Sequence, residues 1–130
     1  MAMTQTTPDR GPTVLVVEDE PLVRDIIVLE LEDAGYAVVE AADGATALAL
    51  LEGGCDVDLL FTDIRMPGSI DGWQLAERAR DLRPGLPVVY ATGFTGDSPR
   101  LVDGSRLFKK PYKAEAVIAS IRDLVLPPPP

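Results

Sequence analysis

An α/β fold is predicted for this 130-residue chain: a five-stranded parallel sheet with helices on both faces and a shortened fourth helix. Three features predict it. Short apolar runs alternate with longer stretches whose apolar residues recur every three or four positions, the pattern of βαβ units. The first, third and fourth runs are apolar almost throughout, as strands covered on both faces must be. Glycine and proline close the helical stretches, at Gly35, Gly53-Gly54 and Pro84-Gly85.

Residues 1–12 are polar, with Pro and Gly, and read as a flexible N-terminal tail. Thr13–Val17 is the first strand, ending on Glu18-Asp19-Glu20-Pro21. Asp19 or Glu20 can cap a helix whose first turn carries Pro21, where the missing N–H costs nothing. That helix runs to about Ala34, with Leu22, Val23, Ile26, Ile27, Leu31 and Ala34 as its apolar positions. Tyr36–Val39 is the second strand, and Asp43-Gly44 leads into a second helix over Ala45–Leu51. Val57–Thr62 is the third strand and delivers Asp63. Asp71-Gly72 opens a third helix through about Leu82, with Leu75, Ala76, Ala79 and Leu82 on one face and Trp73 half-buried. Pro87–Thr92 is the fourth strand. Gly93–Gly104 is glycine-rich and leaves room for about one helical turn, roughly Ser98–Asp103, or none. Ser105–Lys109 is the fifth strand, with Lys109 an exposed edge charge, and Ala114–Leu126 the last helix. Pro127–Pro130 is a proline tail. Residues 13–126 therefore form one domain.

Right-handed crossovers and the placing of the least apolar strands at the edges give the order 2-1-3-4-5, the flavodoxin-like arrangement. In that order the carboxyl ends of strands 1 and 3 are neighbours, so Glu18 and Asp19 meet Asp63. Carboxylates about 4 Å apart repel by about 4 kcal/mol per pair at an effective dielectric near 20. Such a cluster takes up a proton or a cation, and an all-oxygen donor set suits Mg²⁺. Thr92 at the end of strand 4 and Lys110 after strand 5 reach the same edge. Acids, cation, hydroxyl and ammonium together read as a phosphoryl site with Asp63 as in-line nucleophile.

Composition narrows the alternatives. A net charge of −9 with no basic stripe argues against nucleic acid as a direct partner. The absence of histidine removes His-based acid–base chemistry, His-ligated metals and a phosphohistidine on this chain. No membrane span and no secretory signal are predicted. The lone Cys55 excludes an internal disulfide and reads as a bystander in a cytoplasmic protein. An acidic first strand–helix turn speaks against a nucleotide cradle.

Several motifs in this order resemble the receiver domain of two-component response regulators over about residues 13–126. They are Val-Glu-Asp-Glu at 17–20, Asp43-Gly44, Thr-Asp-Ile-Arg-Met-Pro at 62–67, Asp71-Gly72, Ala-Thr-Gly at 91–93 and Lys-Lys-Pro-Tyr at 109–112. The resemblance implies that Asp63 accepts phosphate from a histidine of a partner, a histidine kinase or histidine phosphotransfer protein. It implies Mg²⁺ (or Mn²⁺) held by Glu18, Asp19, Asp63 and the Arg65 carbonyl, with Thr92 and Lys110 on the phosphoryl group. It also implies a cis Lys110-Pro111 bond.

Three departures from the family pattern stand out. The loop between Pro67 and Asp71 is one residue longer than usual and is expected to bulge. Leu107 occupies the switch position where many receivers carry Tyr or Phe. The fourth helix is shortened, and Tyr-Ala-Thr-Gly-Phe at 90–94 resembles the Phe-Ala-Thr-Gly subclass and the receivers of hybrid kinases. The readout is therefore expected in the 93–104 loop, and contacts with a downstream protein on the 93–126 face. Arg65 and Phe94 are expected to set phosphate lifetime. The leading expectation is a stand-alone regulatory phospho-acceptor and not an enzyme; alternatives are a phosphate sink or shuttle in a phosphorelay, or an aspartyl-phosphate hydrolase. Hydrolases of the haloacid-dehalogenase kind carry a second Asp where this chain has Arg65.

Overall fold

A computed structural model describes residues 11–93 and 100–126. Phe94, residues 98–99 of the expected short turn, most of the N-terminal tail and Pro127–Pro130 lie outside the described residues. The elements run β1 (Thr13–Val17), α1 (Pro21–Asp33), β2 (Ala37–Ala41), α2 (Gly44–Glu52), β3 (Leu59–Asp63), α3 (Gly72–Leu82), β4 (Val88–Thr92), β5 (Arg106–Lys109) and α4 (Ala114–Leu124). The five strands are all parallel in the order β2-β1-β3-β4-β5, as the crossover rule requires.

Strand alternation divides the core. Val14, Val16, Leu59, Phe61, Val89 and Ala91 point to one face, where Ile27, Val28 and Leu31 of α1 and Val117, Ile118 and Ile121 of α4 cover them. Leu15, Val17, Leu60, Val88 and Tyr90 point to the other, under Leu48 and Leu51 of α2 and Leu75, Ala76 and Ala79 of α3. Covering on both faces explains why β1, β3 and β4 read as continuous apolar runs.

Local chemistry explains the helix starts. Asp43 accepts a hydrogen bond from the Thr46 amide, and Asp71 and Gln74 form a reciprocal capping box. Glu20, at the N-cap of α1, makes no side-chain cap bond; Pro21 supplies the start instead.

Two expectations need correction. On α1, Leu22 and Ile26 are 78% and 60% exposed, and Val28 takes a core position. The helix carries more apolar residues than one face holds, and the sheet and α4 cover only the stripe through Ile27, Val28 and Leu31. Leu22, Ile26 and Leu29, at i, i+4 and i+7, form a second stripe that faces outward. On α3, Leu82, the last helical residue, is exposed, and Trp73 is buried because it packs against Tyr90 of β4. Between β4 and β5, where about one helical turn or none is expected, the described residues 100–105 hold a turn at Asp103–Gly104 and no helix. Gly104 has φ +74° there, a conformation that suits glycine.

Candidate functional site

Strand register assembles the site. Val17 pairs with Thr62 and Asp63 with Ala91, while Thr92 pairs with Lys109. The next residue along β1 is Glu18 and the next along β5 is Lys110, so all four strand ends converge on one edge. Lys110 Nζ lies 2.8 Å from Glu18 Oε1 and 3.0 Å from Asp63 Oδ2. Asp63 Oδ1 accepts the Ile64 amide at 2.9 Å. Ligand oxygens of Glu18, Asp19 and Asp63 lie within 4.8 Å of one another. Above them opens a cavity of about 400 Å³ lined by Asp19, Glu20, Asp63, Arg65, Gly93 and Lys110.

Burial sets the electrostatics. Glu18 is 1% exposed and Asp63 5%, so neither carboxylate is well hydrated. Burial raises the Asp63 pKa to about 7, helped by the Glu18 charge and opposed by the hydrogen bond and charge of Lys110 and by the Ile64 amide. Burial works against the Lys110 ammonium, but its bonds to Glu18 and Asp63 and their charges outweigh that and hold its pKa above the ordinary lysine value. The Tyr112 phenol is pushed up to about 12 by burial and the Glu18 charge. Its ring meets Phe61 edge-on at 5.9 Å, beneath the acids.

Three oxygen-donor acids, already partly neutralised by one lysine and opening on a solvent-accessible cavity, fit a small hard divalent cation. Such an ion, once bound, would favour the ionised form of Asp63 and neutralise anionic oxygens placed beside it.

The backbone behind Asp63 is held as closely as its side chain. Gly72 N–H donates to Ile64 O at 2.8 Å, and Ile64 N–H to Ala91 O at 3.1 Å. A Cβ on Gly72 would sit 2.3 Å from the Asp63 carbonyl oxygen, which no side chain tolerates. The sequence shows Asp71-Gly72 as a helix start; that its glycine also clears the way for β3 is visible only in the fold.

The remaining expected residues fall as follows. Thr92 is buried at the end of β4, and its carbonyl accepts the Lys110 amide at 2.8 Å. Arg65 is exposed on the cavity wall. The Lys110–Pro111 peptide is cis. The lengthened loop holds Gly68 at φ +101°, and Ile70 turns back to pack against the α2/α3 side of the core. Gly44 lets Ile70 do so, since a Cβ there would lie 2.8 Å from the Ile70 carbonyl.

Leu107 is partly buried against the same side of the core and stands in register with Tyr90. An aromatic pair therefore sits one strand over from the switch position. Tyr90 packs on Trp73 with ring centroids 4.8 Å apart, and its hydroxyl accepts the Val102 amide at 3.2 Å. The same segment is tied to α3 by Arg80 Nη2 donating to the Asp103 carbonyl at 2.7 Å and by an Arg100–Glu77 ion pair at 2.8 Å. Sequence reading passed over Tyr90's hydroxyl. It also passed over Arg24, whose guanidinium touches the carbonyl of Glu18.

Fold and site together define a doubly wound α/β protein with an acidic, lysine-closed pocket at the carboxyl edge of its sheet. Residues 14–122 match the response regulator receiver domain, and the chain belongs to that family. Receiver domains are regulatory signalling domains of two-component systems that work with histidine kinases or phosphotransfer proteins. The response regulator receiver protein CpdR of Brucella abortus is 32% identical over 87% of this chain and 96% of its own length. The transcriptional regulatory protein TcrA of Mycobacterium tuberculosis is 34% identical over 88% of this chain but only 46% of its own. The chain spans about half the length of several curated relatives of that kind. A crystal structure of a response regulator receiver protein from Sinorhizobium medicae superposes with a TM-score of 0.83 at 32% identity, covering 88% of this chain and 94% of the other. Among the described residues, no helix is long and apolar enough to cross a membrane.

Proposed function

We propose that this chain is a phospho-accepting receiver in which Asp63 takes the phosphoryl group of a partner's phosphohistidine with Mg²⁺ or Mn²⁺ bound. The observation that carries the reading is the contact of one ammonium, Lys110, with both Glu18 and Asp63 at the mouth of the acidic cavity. An Asp63 oxygen attacks phosphorus in line, the P–N bond of the donor breaks, and the imidazole leaves with its electron pair. Glu18, Asp19, Asp63 and the Arg65 carbonyl would hold the cation. Lys110 and the Thr92 hydroxyl would take the equatorial oxygens, and Arg65 and Phe94 would govern access of the hydrolytic water. The direct test is mass spectrometry after incubation with Mg²⁺ and acetyl phosphate. One phosphoryl adduct, mapping to Asp63 and absent when EDTA replaces Mg²⁺, is the expected result. An unmodified chain would end the reading.

The outward stripe of α1 supports a protein as the donor. Leu22, Ile26 and Leu29 are exposed apolar side chains, and Ile26 and Val23 also line a hollow with Lys110, Pro111, Tyr112 and Ala114 beside the acidic cavity. A partner helix laid on that stripe would bring its histidine to the mouth of the site. Ile26→Asp is expected to slow transfer from the cognate phosphohistidine protein at least tenfold and leave labelling by acetyl phosphate unchanged. Equal loss with both donors would refute this docking face.

The output would pass through the segment after Thr92. The bonds from Tyr90, Arg80 and Glu77 give residues 100–103 of it a defined resting position from which the phosphorylated state can depart. A phosphate sink or shuttle uses the same site without that output.

A further inference from the structure

We infer that Arg24 is a positioning residue for the cation site, aiming the acidic turn through the main chain of Glu18. The inference rests on the reading of Glu18, Asp19 and Asp63 as cation ligands.

Glu18 is held at four atoms. Its N–H donates to the Ala41 carbonyl on β2 at 3.1 Å. Its Oε1 accepts from Lys110 at 2.8 Å and its Oε2 from the Glu20 amide at 3.1 Å. Its carbonyl accepts from Arg24 Nη1 at 2.7 Å. That last bond fixes the plane of the peptide joining Glu18 to Asp19, and hence the direction in which Asp19 leaves the strand. Asp19 is the least buried acid of the three, so packing alone does little to orient it. Arg24 is itself braced, since its Nε donates at 3.2 Å to Glu40 Oε1 on β2, the strand that also accepts the Glu18 N–H. A guanidinium can hold both acceptors at once because its donors form a rigid fork.

The placement is otherwise unfavourable. Arg24 is the fourth residue of α1, near the positive end of the helix dipole, where cations are disfavoured. Its charge also stands next to the acidic turn, in contact with the Glu18 carbonyl. These two facts give the experiment its power, because charge and position predict opposite signs. Were Arg24 only a nearby positive charge, removing it would tighten cation binding. As a positioning residue, its removal frees the Glu18–Asp19 peptide and weakens binding, by the roughly tenfold or more that outer contacts to metal ligands are worth. Glu40 shares the guanidinium charge, which favours the second sign.

Mg²⁺ titrations of the full chain, followed by NMR chemical shifts, test this on wild type, Arg24→Ala, Arg24→Lys and Glu40→Gln. Arg24→Ala is expected to bind Mg²⁺ about tenfold more weakly. Arg24→Lys should resemble it, since one ammonium cannot span the Glu18 carbonyl and Glu40 as the fork does. Glu40→Gln should weaken binding by less. A merely structural role would lower thermal stability in EDTA while leaving the Mg²⁺ affinity of the folded protein unchanged. Affinity in Arg24→Ala equal to or above wild type overturns the inference. Should Arg24→Ala not fold, wild-type affinity in both Arg24→Lys and Glu40→Gln overturns it equally. Wild type that binds no Mg²⁺ removes the cation site and this inference with it, whereas normal wild-type binding with unaffected variants removes the inference alone.

Discussion

Asp63→Asn is expected to abolish the acetyl phosphate adduct and, in the metal-free protein, to raise stability at pH 8. The first effect follows from removing the only oxygen pair in the proposed nucleophilic position; the amide keeps the shape and loses the anionic nucleophile. The second follows from proton linkage. The folded protein holds the Asp63 proton up to about pH 7, while an unfolded aspartate releases it near pH 4. Between those values the native state binds more protons than the unfolded state, so stability falls as pH rises through the window, and the cost is fully present above it. The asparagine variant carries no such cost and should show a flatter profile, with a gain of a few kcal/mol at most. Mg²⁺ should flatten the wild-type profile too, by favouring the ionised carboxylate. Urea denaturation at pH 5 and pH 8, with and without Mg²⁺, measures all of this. An adduct that persists on Asp63→Asn, or a pH slope identical to wild type, would count against the assignment.

Lys110→Met is expected to destabilise the metal-free protein by about 3–5 kcal/mol at pH 8, the usual consequence of stripping the partner from a buried charge. Lys110 touches two acids, Glu18 and Asp63, that are almost wholly buried. Without it they face one another with no cation between them. Protonating Asp63 relieves the strain, so the loss should be smaller at pH 5. Mg²⁺ should restore part of the stability at pH 8, because it supplies the missing positive charge. Phosphorylation should fall sharply even where the fold is restored, since the ammonium is also proposed to contact the phosphoryl oxygens. An equal loss at both pH values, with no rescue by Mg²⁺, would mean that Lys110 matters through packing and not through charge.

Much of this molecule was readable in advance. Strand order followed from the apolar runs and the handedness of crossovers, and it brought Glu18 and Lys110 to Asp63 as predicted. Asp43-Gly44 and Asp71-Gly72 marked two helix starts, the second helix beginning at Gly44, one residue before the expected Ala45. The α1 face was misread because Leu22, Ile26, Ile27, Val28, Leu29 and Leu31 form two overlapping stripes, and periodicity says nothing about which one a sheet will cover. Trp73 was misread because its depth depends on how closely α3 approaches β4, where it meets Tyr90.

The difference has a physical origin. Side-chain type and spacing by themselves determined the doubly wound sheet, the acidic turn at Glu18–Asp19 and the convergence of Asp63, Thr92 and Lys110, since hydrophobic period and chain order act through local sequence. The tertiary structure alone decided what depends on distance between segments remote in sequence. It set the proton held by Asp63, because burial and the Glu18 charge are properties of the assembled edge. It required glycine at 72, because only the packed helix brings that residue against the Asp63 carbonyl. It gave Arg24 its partner, because a main-chain carbonyl occurs at every residue and only the fold selects that of Glu18.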